Sequence, residues 1–207
     1  MRIVAISDTH ARHRAIPAVP DGDVLVHAGD MTSVGEPEHV QDLNAWFGEL
    51  PHPTKIIIAG NHDFPFERAP ASVEPFLSNC IYLRDSAVVV DGLTFYGSPW
   101  QPAFMDWAFN LERGPELREK WDFIPDGTDV LITHGPPAGH CDMTTGGQAV
   151  GCADLMDAVR RVKPRLHVFG HIHEGAGVTE EGGTTFVNAS SVTDRYKPTN
   201  PAIVIDL

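Results

Sequence analysis

The chain has 207 residues, 42% of them hydrophobic, which suffices for one substantial core and is short for two, so a single domain over residues 1–207 is expected. Fifteen Lys and Arg against 28 Asp and Glu give a net charge of −13, which repels polyanions and excludes duplex DNA or long RNA as the expected partner. Three cysteines without a CxxC pair suit a reducing, cytoplasmic setting, and no apolar run approaches the roughly 18 residues of a membrane span.

In chain order, the first predicted strand is 2–7, and it runs directly into Asp8-Thr9-His10. Polar Ser7, Asp8 and His10 arrive before the apolar core of a signal peptide could form. The i, i+2 spacing of Asp8 and His10 puts a carboxylate and an imidazole on one side of an extended segment. A second strand over 23–28 is closed by Gly29-Asp30. Val40, Leu43, Phe47 and Leu50 then share a helical face that Pro51 ends. The strand 55–60 is closed by Gly60-Asn61-His62-Asp63. Strands at 87–90 and 93–97 are joined by Asp91-Gly92, a hairpin signal. Residues 99–128, rich in Pro, Gly and aromatics, read as a long loop with a short helix near 116–121, and loops of that length are usually functional. Val130–Thr133 is followed by His134-Gly135-Pro136. Cys152, Leu155, Met156, Val159 and Val162 mark a helix stopped by Pro164, and Leu166–Phe169 runs into Gly170-His171-Ile172-His173. A last strand is expected at 202–205. Strands alternating with helices and one hairpin indicate an α/β fold with mixed sheets.

Five strand ends therefore carry His, Asp or Asn toward one edge, the usual ligand site of open α/β sheets. Each motif alone is weak: a lone DxH is often a surface turn and a lone HxH a solvated pair. In this order, each at a strand end, they constitute a strong joint signal for divalent cations. Among the other histidines, His27 is expected in the core rather than behind a ligand, and His13, His39, His52, His140 and His167 as surface or packing residues. Trp100, Phe104, Trp107 and Phe109 could stack on a nucleobase or could anchor their own loop.

DTH, GD, GNHD, HGPP and GHIH resemble the signature set of calcineurin-like metallophosphoesterases. IAGNHD, THGPP, VGC, LHVFGHIHEG, NAS and PTNPAIVIDL resemble the branch known as metallophosphoesterase domain-containing proteins, found in animals and with bacterial relatives, and the similarity covers essentially the whole chain. In some animal members the first histidine of GHIH is glycine, whereas His171 is present here. The resemblance implies a four-layer αββα sandwich of two mixed β-sheets flanked by helices. It also implies two divalent metal ions, manganese first, with Fe, Zn, Ni or Co also suited to imidazole ligands. Asp8, His10 and His173 would hold one metal, Asn61, His134 and His171 the other, with Asp30 bridging. The nucleophile would be a water activated between the metals, so no Ser or Cys nucleophile is required. His62 is implied as general acid or phosphate stabiliser, and Asp63 could orient it through a hydrogen bond. The expected activity is a phosphodiesterase acting on small phosphodiesters such as cyclic nucleotides. A phosphomonoesterase and a metal-binding scaffold without turnover are the alternatives, the latter disfavoured because none of the seven ligands is missing. Oligomeric state is not legible in the sequence.

Overall fold

Ile3 and Ala5 face one side of the first strand, β1 (Arg2–Ile6), and Val4 and Ile6 face the other, yet all four are fully buried. A strand buried on both sides needs a layer over each face, and the structure, a computed structural model describing residues 1–207, supplies both. The elements follow in order as β2 (Val24–His27), α1 (Pro37–Glu49), β3 (Thr54–Ile57), α2 (Phe64–Arg68), β4 (Ile81–Tyr82), β5 (Ser86–Val90), β6 (Leu93–Ser98), β7 (Gln101–Pro102) and β8 (Asn110–Leu111). After these come α3 (Pro115–Asp122), β9 (Val130–Thr133), α4 (Ala153–Val162), β10 (Leu166–Phe169), β11 (Gly177–Glu181), β12 (Thr184–Asn188) and β13 (Ile203–Asp206).

One mixed sheet has the order β13-β1-β2-β3-β4 and the other β11-β12-β10-β9-β6-β5. Between them lies a core that includes Ile3, Ala5, Val26, Val130, Val168 and Val187. Outside the first sheet, Val40, Leu43, Trp46 and Phe47 of α1 cover Val4, Ile6 and Leu25. Outside the second, Leu117 and Trp121 of α3 and Leu155, Met156 and Val159 of α4 cover Leu131, Phe169 and Phe186. This is the expected αββα sandwich. Each fully buried Leu, Val or Phe contributes about 1.5–3 kcal/mol, so all three cores between the four layers help to hold the strand ends in place. No helix is long and apolar enough to cross a membrane.

Several boundaries differ from the sequence reading. β3 ends at Ile57; Ile58 keeps one bond, its N–H donating to the His27 carbonyl at 3.2 Å, before the chain turns toward Asp30. The hairpin β11–β12 was not expected, since β11 reads GVTEE with four exposed residues and carries no apolar run. Its turn, Gly182-Gly183, has φ of 60° and 90°, the conformation glycine adopts without a Cβ clash. Cys152 is buried, as expected, and also caps α4: its Sγ accepts from the Leu155 N–H at 3.4 Å.

Candidate metal centre

β1, β2 and β3 run parallel, as do β6, β9, β10 and β12, so the loops carrying the polar motifs emerge together at the carboxyl ends of both sheets. The two sheets are joined at this end by a bridge between Ser7 and Ser190. Backbone bonds lock neighbouring loops: the Asp8 N–H donates to Gly29 O at 2.9 Å and the His10 N–H to Asp30 O at 3.0 Å. Asp8, His10, Asp30 and His171 adopt φ of 52°, 43°, 57° and 66°, a left-handed region that non-glycine residues rarely occupy outside constrained sites. Two motif glycines are there for close approach. A Cβ at Gly170 would overlap the Asp8 carboxylate and Ser7 hydroxyl, and one at Gly60 would overlap Asp30.

The structure brings all eight sequence-predicted residues to this edge. Asp8, His10 and His173 form one group of convergent ligand atoms, Asp8, Asp30 and His134 a second, and His10, Asp30 and His62 a third. His10 Nε2 lies 3.2 Å from His173 Nε2, and His173 Nε2 3.7 Å from Asp8 Oδ1. Asp30 faces both ways: its Oδ1 is 3.4 Å from His134 Nε2 and its Oδ2 is 3.7 Å from His10 Nε2. Asn61 Oδ1 is 2.8 Å from His134 Nε2, and the His171 ring packs edge-on to His134 at 5.1 Å. The Nδ1–H of His134 bonds the Ala28 carbonyl at 2.9 Å, which turns Nε2 into the site.

Asp8 and Asp30 are 0% and 1% exposed and face only imidazoles and backbone N–H groups, with no Lys or Arg in contact. Burial alone would raise both carboxyls; His173 beside Asp8 and His134 beside Asp30 reverse this and hold both well below the usual range. Burial opposes charge on His134, but Asp30 outweighs it and raises the imidazole to about 9. Burial lowers His10 and His171 to about 4, so both offer a neutral nitrogen at neutral pH. Two buried carboxylates, an amide oxygen and several imidazole nitrogens in contact are a donor set that fits divalent cations of the first transition row.

His62 donates its Nδ1–H to the Ser33 carbonyl at 2.6 Å, which leaves Nε2 3.9 Å from Asp30 Oδ2. Asp63 does not orient it. Its carboxylate instead accepts from the N–H groups of Gly60 (2.8 Å), Thr32 (2.9 Å) and Met31 (3.2 Å) and from the Thr32 hydroxyl (2.8 Å). The three buried N–H groups have no other acceptor, and the Thr32 hydroxyl also reaches the His62 carbonyl at 3.2 Å, so these bonds fasten the two loops to each other. The four aromatics divide. Phe109 is fully buried, and Trp100 packs on it while donating its Nε1–H to Asp85 at 2.8 Å, so these two anchor the loop. Trp107 stacks on His62 at 4.1 Å, and Phe104, 53% exposed, lines the cleft beside it.

The cleft beside the cluster measures about 760 Å³ and admits Asp30, Asn61, His62, His171 and His173 to its floor. Arg113 is the one Lys or Arg lining it, and Glu174 and Asp194 face it as well. Three contributions escaped the sequence reading. Tyr196 lies against His10 and His173. Asn188 donates to the carbonyls of Ile172 and Cys141, supporting the GHIH loop; its place in an NAS tripeptide after an apolar pair was the available signal. His27, expected as a core residue, is buried and also donates from Nε2 to the Thr9 hydroxyl at 3.0 Å while Nδ1 accepts from the Gly29 N–H at 3.3 Å. The remaining histidines are structural, His140 stacked flat on Phe186 at 3.7 Å and His167 bonded to Thr133.

Residues 1–175 match the family model described as calcineurin-like phosphoesterase. The human metallophosphoesterase domain-containing protein 1 is 51% identical over 100% of this chain and 71% of its own length. A Synechococcus protein named probable cyclic nucleotide phosphodiesterase is 29% identical over 87% of this chain and 69% of its own. Among solved structures, the protein TT1561 of Thermus thermophilus superposes with a TM-score of 0.58 at 14% identity, covering 99% of this chain and 98% of that one, a likeness of fold.

Proposed function

The chain belongs to the calcineurin-like phosphoesterase family, and from that premise we propose that it is a binuclear metal-dependent phosphodiesterase acting on small phosphodiesters such as cyclic nucleotides. The observation that carries the two-cation part is Asp30: buried, without a Lys or Arg partner, one oxygen toward His134 and the other toward His10. Asp8, His10 and His173 would hold one cation and Asn61, His134 and His171 the other, with Asp30 shared. Manganese is the first expectation, and Fe, Zn, Ni or Co also suit the donors. The bound cations would supply Lewis acidity, charge compensation and an activated water for in-line displacement.

The protein groups do the rest. His62, held by Ser33 through Nδ1 and by Trp107 through its face, keeps Nε2 for the proton that the leaving oxygen needs. Trp107 and Phe104 offer flat apolar surface to the organic part of the substrate. Diesters are preferred over monoesters on charge. A monoester dianion gains more from positive charge, whereas this cleft has one guanidinium, whose amino groups bond the carbonyls of Val150 and Gly151, and two carboxylates besides Asp30. The net charge of −13 disfavours long nucleic acids, and a cytoplasmic setting completes the proposal.

The test is a hydrolysis screen of manganese-reconstituted protein against aryl mono- and diesters and against 2′,3′- and 3′,5′-cyclic nucleotides. Diester turnover well above monoester turnover is expected. The reverse ratio would assign a monoesterase, and no turnover on any substrate with two metals bound would favour a scaffold.

A further inference from the structure

Three imidazoles at the centre are oriented differently. His134 is fixed by its Nδ1–H on Ala28 O and His62 by its Nδ1–H on Ser33 O. His10 Nδ1, in contrast, is buried and has no hydrogen-bond partner. A ligating histidine usually relies on the bond made by its other ring nitrogen to fix its tautomer and tilt. Apart from the contacts of its Nε2, His10 is held by ring contacts: His62 at 4.6 Å, His173 at 5.2 Å and Tyr196 at 4.9 Å. Of these, Tyr196 is not itself a candidate ligand or acid, and it also meets the His173 ring at 5.1 Å and 89°.

The backbone holds Tyr196 there at some cost in strain. Its φ is 55°, unusual for a bulky residue. The turn that imposes this is closed by the Tyr196 N–H donating to Thr193 O at 2.8 Å and the Thr193 N–H to Lys197 O at 3.0 Å. Asn200 ties the base of the turn to the carbonyls of Ser190 and Val192, and the Ser191 N–H bonds Ser7 O at 2.8 Å, one residue before Asp8. The segment bearing Tyr196 is thus fastened to the strand exit that carries Asp8 and His10. It lies beyond residue 175, where the family match ends.

We propose that Tyr196 is a positioning residue for one of the two cation sites, its ring packing edge-on against His10 and His173 and setting their tilt where His10 Nδ1 lacks a hydrogen bond. The inference rests on the two-cation reading above. It assigns the effect to the ring and none to the phenol oxygen, and it confines the effect to the site of Asp8, His10 and His173.

Calorimetric titration of Mn2+ into chelator-stripped protein tests this in wild type, Tyr196→Phe and Tyr196→Gly. Glycine accepts the left-handed backbone, so removal of the ring does not strain the fold, and a melting curve of the stripped variant checks that. Wild type is expected to take up two ions, the Phe variant two with affinities within about threefold, and the Gly variant two with one site weakened about 10-fold or more. A Gly variant binding both ions as tightly as wild type would overturn the proposal. So would a Phe variant as impaired as the Gly variant, since the hydroxyl would then be the active part. Wild-type protein binding one ion or none would overturn the two-cation reading itself, and the proposal with it.

Discussion

Acid should destabilise the metal-free protein well before Asp8 and Asp30 titrate, and His27 and His167 contribute a calculable part of the effect. Both are fully buried, and burial depresses each from 6.5 to about 3. The hydrogen bonds explain why a second ring proton is resisted: it would go to Nδ1, which in His27 already accepts from Gly29 and in His167 is buried without a partner. For a histidine whose folded pKa is depressed, the stabilisation is complete above the unfolded value and is lost as pH falls toward the folded one. Between about pH 6.5 and about 4 the unfolded chain binds one more proton at each residue, a slope of about 1.4 kcal/mol per pH unit per histidine. Lowering the pH from about 7 to about 4.5 therefore removes about 5 kcal/mol through the two together, a large share of ordinary domain stability. His10 and His171 add in the same direction, Asp63, raised to about 6 by burial, acts in the opposite one, and Asp8 and Asp30, lowered in the fold, lose their stabilisation only below the unfolded carboxylate value. His134, raised to about 9, contributes fully below 6.5 and loses its contribution as pH rises through 9. Urea midpoints measured with chelator across this range give the slope directly. His167→Leu should flatten it, since the Thr133 hydroxyl keeps its bond to Gly135 O at 2.8 Å. A stability independent of pH between 6.5 and 4.5, or a His167→Leu slope equal to wild type, would refute the reasoning.

Other outcomes follow from the geometry of the centre. Asp30→Asn should cost more activity and more bound metal than His10→Ala, because Asp30 faces both clusters whereas His10 serves one side; elemental analysis beside turnover decides it, and near-wild-type values for Asp30→Asn would remove the shared role. His62→Ala should keep both metals yet lose about 10²–10⁴-fold in turnover with a poor leaving group, and less with nitrophenolate, which departs without a proton. Equal losses with both leaving groups would make His62 a stabiliser of phosphate charge, and lost metal would make it a ligand. Gly170→Ala should weaken metal uptake while the protein still folds, because its Cβ would meet the Asp8 carboxylate and the Ser7 hydroxyl; unchanged uptake would mean that the loop relaxes freely.

Most of this centre was legible because its residues follow apolar runs directly. Asp8, Asp30, Asn61, His134 and His171 each stand within a few residues of a strand's end, and in parallel sheets such ends share one edge. The layers were legible for a similar reason, as continuous runs such as VLVH and VLIT are buried on both faces. What failed depended on partners far along the chain or on local polarity. β11 and β12 both escaped: β11, an edge strand of Thr and Glu, has no apolar pattern, and Phe186 and Val187 of β12 make too short an apolar pair to mark a strand. Adjacency leaves Asp63 open between orienting His62 and a plain turn role, while the N–H groups of Met31 and Thr32, on another loop, claim it. Tyr196 was invisible as a site residue because nothing in DRYKPTN indicates which imidazoles the turn will meet.

The left-handed backbone at Asp8, His10, Asp30 and His171 links the fold to the chemistry. Each such residue costs on the order of 1–3 kcal/mol and persists only where its surroundings over-determine it. Here the surroundings are visible. Asp8 accepts the His171 N–H with both oxygens at 3.1 Å, Asp30 accepts the His62 N–H at 2.8 Å, and His10 donates its N–H to the Asp30 carbonyl. Asp8 thus ties its own loop to the His171 loop of the other sheet, while Asp30 and His10 tie the three loops of the first sheet to one another. Such bonds between loops restrict the positions that the side chains of the set can take. The same bonds make the set intolerant of small changes. A methyl at Gly170 presses on Asp8 and Ser7 of the opposite sheet, and a lost carboxylate at Asp30 frees the His62 N–H of the neighbouring loop.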